Sequence, residues 1–376
     1  MIPARLAAYY GASFLTIGVL LPFWPIWLEN RGLDAEIIGL ILGAGTAAKI
    51  IANPLIANFA DRSGERKRLI AWLTTLALAA FLLFPLVSGW MFILGVNVLF
   101  FALWSTCMPL TESLTMQAGR RLGFDYGRVR LWGSLTFIVS ATGIGALLTD
   151  RNPDLIHTVV VACLVLTLVT AWALPDLRSD GTTSDRFTLL PVLRDWRFVV
   201  FLVGIGFIQA SHAVYYGFGT LNWRRAGLSE DIIGWLWAVG VIAEIVLFLF
   251  SGAVVRKIGP ARLIAFAGLA GLVRWFFTAS TVSLAPLFLL QTLHAFTFGA
   301  AHLGAMHFIA SRVPPGLSAT AQSVYSALVM GLVMGIALFA SGHIFNAVGS
   351  QAYIAMAGMS AAGGAIVYLL RRRQRN

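Results

Sequence analysis

The octet Gly32-Leu33-Asp34-Ala35-Glu36-Ile37-Ile38-Gly39 returns 195 residues later as Gly227-Leu228-Ser229-Glu230-Asp231-Ile232-Ile233-Gly234. Each octet closes a short polar stretch and opens a long apolar one. At the same offset Lys49 falls opposite Glu244, Asp61 opposite Arg256 and Gly64 opposite Gly259. Apolar strings resemble one another by chance, but matched glycines and charges stand outside that background. The chain therefore reads as one frame written twice, two halves of the same topology.

The solvent of that frame follows from composition. Of 376 residues, 59% are hydrophobic and only 11% charged, outside the range of water-soluble domains. A bilayer core of about 30 Å is crossed by about 20 apolar residues at 1.5 Å rise. Windows of that kind lie near 6–28, 36–59, 69–87, 90–116, 128–149 and 155–174, and again near 197–222, 231–255, 261–280, 284–310, 319–344 and 350–370. The expectation is an all-α membrane protein of twelve transmembrane helices: an amino-terminal six-helix bundle (1–174), a charged cytoplasmic linker loop (175–196) and a carboxy-terminal six-helix bundle with a basic tail (197–376).

The formal charge of +11 is dispersed in short basic clusters between apolar windows, which explains it without nucleic acid. Of 27 lysines and arginines, twenty fall at the termini or after predicted helices 2, 4, 6, 8 and 10; Arg31, Arg151, Arg224 and Arg225 lie on the other side. Cytoplasmic loops hold the positive excess, so both termini are expected in the cytoplasm of a multi-pass protein of the cell inner membrane. The first window carries Pro22 and Pro25 with no small-residue cleavage site after it, and reads as an uncleaved helix. Cys107 and Cys163 lie inside apolar runs, and no disulfide, metal or cofactor framework is expected. No glycine-rich phosphate loop is present. An enzyme would show clustered carboxylates, an activated Ser or Cys, or metal-spaced histidines. His294, His302 and His307, at spacings of eight and five, do not share one α-helical face.

The loop after the second window reads Asn58-Phe59-Ala60-Asp61-Arg62-Ser63-Gly64-Glu65-Arg66-Lys67-Arg68. It resembles the helix 2 to 3 motif of the major facilitator superfamily, with Ala57 in place of the first glycine and Glu65 interrupting the basic run. Asp125-Tyr126-Gly127-Arg128-Val129-Arg130-Leu131-Trp132-Gly133-Ser134, Tyr215-Tyr216-Gly217-Phe218 and Pro22-Phe23-Trp24 are similar to the 3-phenylpropionic acid transporter branch, and more distantly to the nucleoside and lactose proton symporters. The resemblance covers the whole chain. It implies two pseudo-symmetric six-helix bundles with a solute site between them near the midplane, and gating by Asp61, Gly64 and Arg66.

Ionisable groups at bilayer depth cost about 2.5–3.5 kcal/mol on insertion scales, which makes each a functional candidate. Lys49, Glu112, Arg130, Glu244 and Arg274 are the five. Glu112 and Arg130 lie nine residues either side of Arg121, so a helical hairpin brings them to one depth. The resemblance to the lactose symporter implies substrate recognition there, and places Arg274 and His294 at its helix 9 arginine and helix 10 histidine. Its proton-carrying carboxylate three residues after that histidine is Thr297 here, and its lysine three before is Gln291. The proton carrier is therefore sought among Glu112, Glu244 and His294. Three cations against two carboxylates favour an anionic solute. Trp24, Trp27, Tyr215 and Tyr216 are candidate cavity aromatics; Tyr10, Phe14, Phe218, Phe296 and Phe298 add to the supply. The expectation is a monomeric secondary transporter that symports protons with a small aromatic carboxylate. Efflux antiport and symport of a nucleoside or sugar are the alternatives.

Overall fold

A computed structural model describes residues 1–177, 193–313 and 317–372, and these contain helices and no strand. Eleven stretches are long and apolar enough to cross a membrane. They begin with α1 (Ile2–Asn30), α2 (Ala35–Ser63), α3 (Arg66–Leu86), α4 (Trp90–Leu122), α5 (Tyr126–Leu148) and α6 (Asp154–Trp172). Then come α7 (Trp196–Arg225), α8 (Glu230–Leu249), α9 (Pro260–Ser280) and α10 (Leu284–Arg312). The eleventh, Thr320–Leu370, has 51 residues. A straight helix of that length would reach about 75 Å, more than twice a bilayer core. It breaks at Gly349, whose φ of 57° and ψ of −131° end one helix, and a 3₁₀ turn Gly349–Gln351 starts the next. This makes α11 (Ser318–Ala327, Leu328–Val333 and Met334–Val348) and α12 (Ala352–Arg372), twelve crossings in all.

The expected linker 175–196 and basic tail fall largely outside the described residues. The eighth window was expected to run unbroken to 255, whereas α8 stops at Leu249 and a separate short helix, Ser251–Ile258, follows.

The repeat is visible in the backbone. Ala35–Ser63 maps at the offset of 195 onto 230–258, the span of α8 with its short extension. Glycines at the same places take left-handed backbone in both halves: Gly32 (φ 76°) with Gly227 (φ 85°), and Gly64 (φ 67°) with Gly259 (φ 81°). Residues with a Cβ resist this region, so these turns need glycine. Asp34 caps α2 by accepting from Ile37 N at 2.9 Å.

Described residues within Met1–Asp185 and Leu228–Trp235 form one compact unit, and those within Arg186–Gly227 and Leu236–Asn376 the other. The first has a core of Leu6, Ile70, Leu110 and Leu114 with Tyr9 and Cys107. The second is centred on Phe201, Ile205, Ile264, Phe308 and Val329. Helix contacts inside a bilayer rely on close packing because lipid tails are as apolar as leucine. In the second unit α9 and α12 meet at Gly268 and Gly364, where a Cβ added at 268 would lie 2.8 Å from Gly364 N and Ser360 O. Ser360 Oγ donates to Gly268 O at 3.1 Å across the same contact. Gly268→Val is therefore expected to cost about 1–3 kcal/mol or more by overpacking. A thermal-shift measurement on detergent-purified protein should show a lowered Tm, and an unchanged Tm would contradict the close approach.

Candidate functional site

Several membrane helices depart from regular geometry at mid-length. In the second unit α7 breaks at Ser211–His212, between helices Trp196–Ala210 and Ala213–Arg225. In α10 a π-helical stretch, Ala295–Ala300, follows His294, and α11 has another at Leu328–Val333. Such stretches cluster at functional sites because they re-aim side chains. Side chains at the α7 break meet its loosened backbone: His212 Nδ1 pairs with Gln209 O at 3.0 Å, and Ser211 Oγ donates to Ile208 O at 2.7 Å while accepting Trp275 Nε1 at 3.0 Å.

Arg274, on α9, is fully buried beside this break. Its Nη1 reaches His294 Nδ1 at 3.1 Å and donates to Thr297 Oγ1 at 2.9 Å; its Nη2 donates to Gln291 Oε1 at 2.8 Å. The guanidinium lies over the rings of Tyr215 (4.8 Å) and Trp275 (4.3 Å). These bonds fix the protons around it. Arginine only donates, so His294 Nδ1 accepts, and a neutral His294 carries its proton on Nε2. That nitrogen lies 3.6 Å from Glu244 Oε2. A carbonyl only accepts, so His212 keeps its proton on Nδ1 and its Nε2 receives the Thr297 hydroxyl at 3.1 Å. The result is a directed chain in which Arg274 donates both to His294, which faces Glu244, and through Thr297 to His212. Arg274 Nε, Gln291 Nε2 and Tyr353 Oη remain buried without a hydrogen-bond partner among the described residues.

The π-helical stretch aligns a row of rings on α10. His294 and Phe298 stack at 5.3 Å and 5°, and Phe298 and His302 at 6.2 Å and 4°. A wider turn carries fewer degrees per residue, which draws His294 and His302, eight residues apart, more closely onto one face.

In the first unit the hairpin of α4 and α5 brings Glu112 within electrostatic range of Arg130 and beside the Tyr126 phenol. The two do not form an ion pair. Arg130 lies over Phe14 at 4.1 Å and Tyr10 at 5.7 Å, aromatic faces carried by α1. Lys49 forms no ion pair or hydrogen bond among the described residues.

The four candidate aromatics divide. Tyr215 and Tyr216 lie in the second-unit cluster, where Tyr215 stacks on Trp237 at 4.3 Å and Tyr216 on His212 at 5.5 Å. Trp24 and Trp27 are at most 1% exposed; they stack on each other at 4.5 Å and pack against Phe84. They are core residues of the first unit, since Pro22 and Pro25 leave α1 continuous and aim both indoles inward. At the end of α2, Arg66 pairs with Asp61 at 2.8 Å and Gly64 forms the left-handed cap. Glu65, which interrupts the basic run, pairs with Arg68 at 2.9 Å.

Known proteins share this architecture. The family described as MFS_1 like family matches residues 4–355. The chain is 33% identical to the "Probable 3-phenylpropionic acid transporter" of Escherichia coli (strain K12), with 94% of this chain and 93% of that protein covered. It is 23% identical to the lactose permease of Citrobacter freundii, over 90% of this chain and 87% of that one. The crystal structure of the nucleoside transporter NupG aligns with a TM-score of 0.86 at 14% identity, over 99% of both chains. At that identity the likeness is one of fold.

Proposed function

The chain belongs to the MFS_1-like family of major facilitator transporters, and on that premise we propose that it symports protons with a small, phenylpropionate-like aromatic carboxylate by alternating access. It is a membrane-spanning transporter and not an enzyme. The observation that carries the coupling is the directed chain from Glu244 through His294 to Arg274. Thr297 cannot carry a proton where the lactose symporter has a carboxylate, and Glu244 supplies one from α8. With Glu244 ionised, the Arg274 charge is balanced through His294. Protonation of Glu244 removes that balance, and the cluster becomes net positive at the moment an anion is wanted. One proton and one carboxylate crossing together leave the interior charge unchanged, so each turnover is electroneutral. Lys49, Arg130 and Arg274 are the cations available to the carboxylate, and Tyr215 and Tyr216 offer aromatic faces in the second unit. Both termini lie in the cytoplasm of the inner membrane, residues 175–196 link the two six-helix bundles, the protein acts as a monomer, and the Asp61–Arg66 pair with Gly64 belongs to the cytoplasmic gate.

The test is uptake of labelled 3-phenylpropionate into vesicles holding the purified protein. An inward proton gradient should drive accumulation above equilibrium, and a protonophore should abolish it. Gradient-independent uptake would overturn the coupling. Accumulation of a nucleoside or disaccharide in place of the acid would overturn the substrate class, and gradient-driven export would replace symport with antiport.

A further inference from the structure

The first unit contains a cavity of about 220 Å³ lined by residues of α1, α2 and α4, among them Ser13, Lys49, Phe101 and Trp104. Its wall is a discontinuity. α4 consists of helices Trp90–Trp104 and Cys107–Leu122 separated by Ser105 and Thr106, because Pro109 has no N–H to return to the Ser105 carbonyl. Ser105 Oγ meets Asn53 Oδ1 at 3.3 Å and ties the break to α2. Broken helices at membrane depth are tolerated where they are buried in protein or border a cavity.

Two observations point to the occupant. The first is charge. The sequence leaves one interior cation in excess, and the structure identifies it: Arg274 is balanced through His294 by Glu244, Arg130 lies in range of Glu112, and Lys49 alone of the three has no carboxylate nearby among the described residues. The second is unmet hydrogen bonding. Tyr9 and Ser13 both line the cavity and are at most 1% exposed, and among the described residues neither hydroxyl makes a well-formed hydrogen bond, Tyr9 Oη lying only loosely beside Ser13, Thr74 and Thr111. Buried hydroxyls left unpaired cost about 1–3 kcal/mol each. An ammonium and two hydroxyl donors together suit a carboxylate, which offers about four lone-pair sites. The rings of Phe101 and Trp104 supply an apolar wall beside it. A cavity of about 150 Å³ accommodates benzene. This one has room for a single aromatic ring with a short acid side chain.

We propose that this cavity is the carboxylate-binding subsite of the transporter, with Lys49, Ser13 and Tyr9 holding the carboxylate and the ring lying against Phe101 and Trp104. The proposal rests on the reading of the solute as an aromatic acid, and names where that acid is recognised. The experiment is calorimetric binding to the full-length protein in nanodiscs, with 3-phenylpropionate, its neutral amide and lactose as probes. Wild type should bind the acid, the amide more weakly and lactose not at all. Lys49→Met should weaken the acid about 10- to 100-fold, the range of a charge-assisted contact, and leave the amide unchanged. Trp104→Leu should weaken acid and amide alike, and keeps the proposal testable where Lys49→Met fails to fold. Wild-type affinity for the acid in both variants would overturn the subsite while the aromatic-acid reading stands. Absence of acid binding in wild type, or binding of lactose instead, would overturn both.

Discussion

Arg274→Lys is expected to reduce gradient-driven uptake at least about 100-fold although the charge is retained. Arg274 bonds in three directions from one plane, to His294, Thr297 and Gln291, and lies flat over Tyr215 and Trp275. A lysine ammonium is compact and strongly hydrated, and does not reproduce that fork. Losing two of the bonds strands buried acceptors at about 1–3 kcal/mol each, and about 1.4 kcal/mol is a tenfold change in rate. The stranded atoms include His294 Nδ1, which becomes open to protonation, so the tautomer facing Glu244 is no longer fixed. Vesicle uptake of 3-phenylpropionate at matched protein density is the measurement. Uptake within about threefold of wild type, less than 1 kcal/mol, would mean that the charge alone matters and the directed bonds do not.

Glu244→Gln is expected to abolish accumulation and spare exchange. Glutamine keeps the shape and an acceptor toward His294 Nε2, yet cannot take up a proton near neutral pH. A difference of one pH unit corresponds to about 1.4 kcal/mol, enough to concentrate a one-proton symport solute about tenfold. The variant should equilibrate the solute across the membrane without concentrating it, while exchange of labelled for unlabelled solute continues at a rate comparable with wild type. Accumulation that persists in Glu244→Gln would move the proton to Glu112 or His294, whereas loss of exchange as well would make Glu244 a binding residue.

The twelve crossings were legible because the apolar length needed for a membrane is a one-dimensional property, and the break inside Thr320–Leu370 was expected near its observed place. The identities of interior ionisable residues were equally legible, since each violates the apolar pattern. Their partnerships were not. Glu112 and Arg130 share a depth, but whether they bond depends on what else meets the guanidinium, and α1 sets Phe14 and Tyr10 against it. The surroundings of Trp24 and Trp27 were hidden for a related reason: a helix apolar all round gives no periodic signal that separates its core face from a cavity face. Tyr9 and Ser13 escaped notice because an uncharged hydroxyl in an apolar run carries no warning. Only its failure to find a partner, a three-dimensional fact, marks it. The nearest clue in the chain was Pro109, a helix interruption at the depth of Lys49.

The matched backbone turns have an evolutionary consequence. Gly32 with Gly227, and Gly64 with Gly259, keep the same residue and the same left-handed geometry, whereas Lys49 and Glu244 occupy one place in the duplicated frame with opposite charge. What the halves share is scaffolding, held in two copies. What they do not share is the working chemistry, held in one. A substitution at one of these glycines alters only the turn it sits in, whereas an interior charge lost from either half finds no like charge at the matched position of the other.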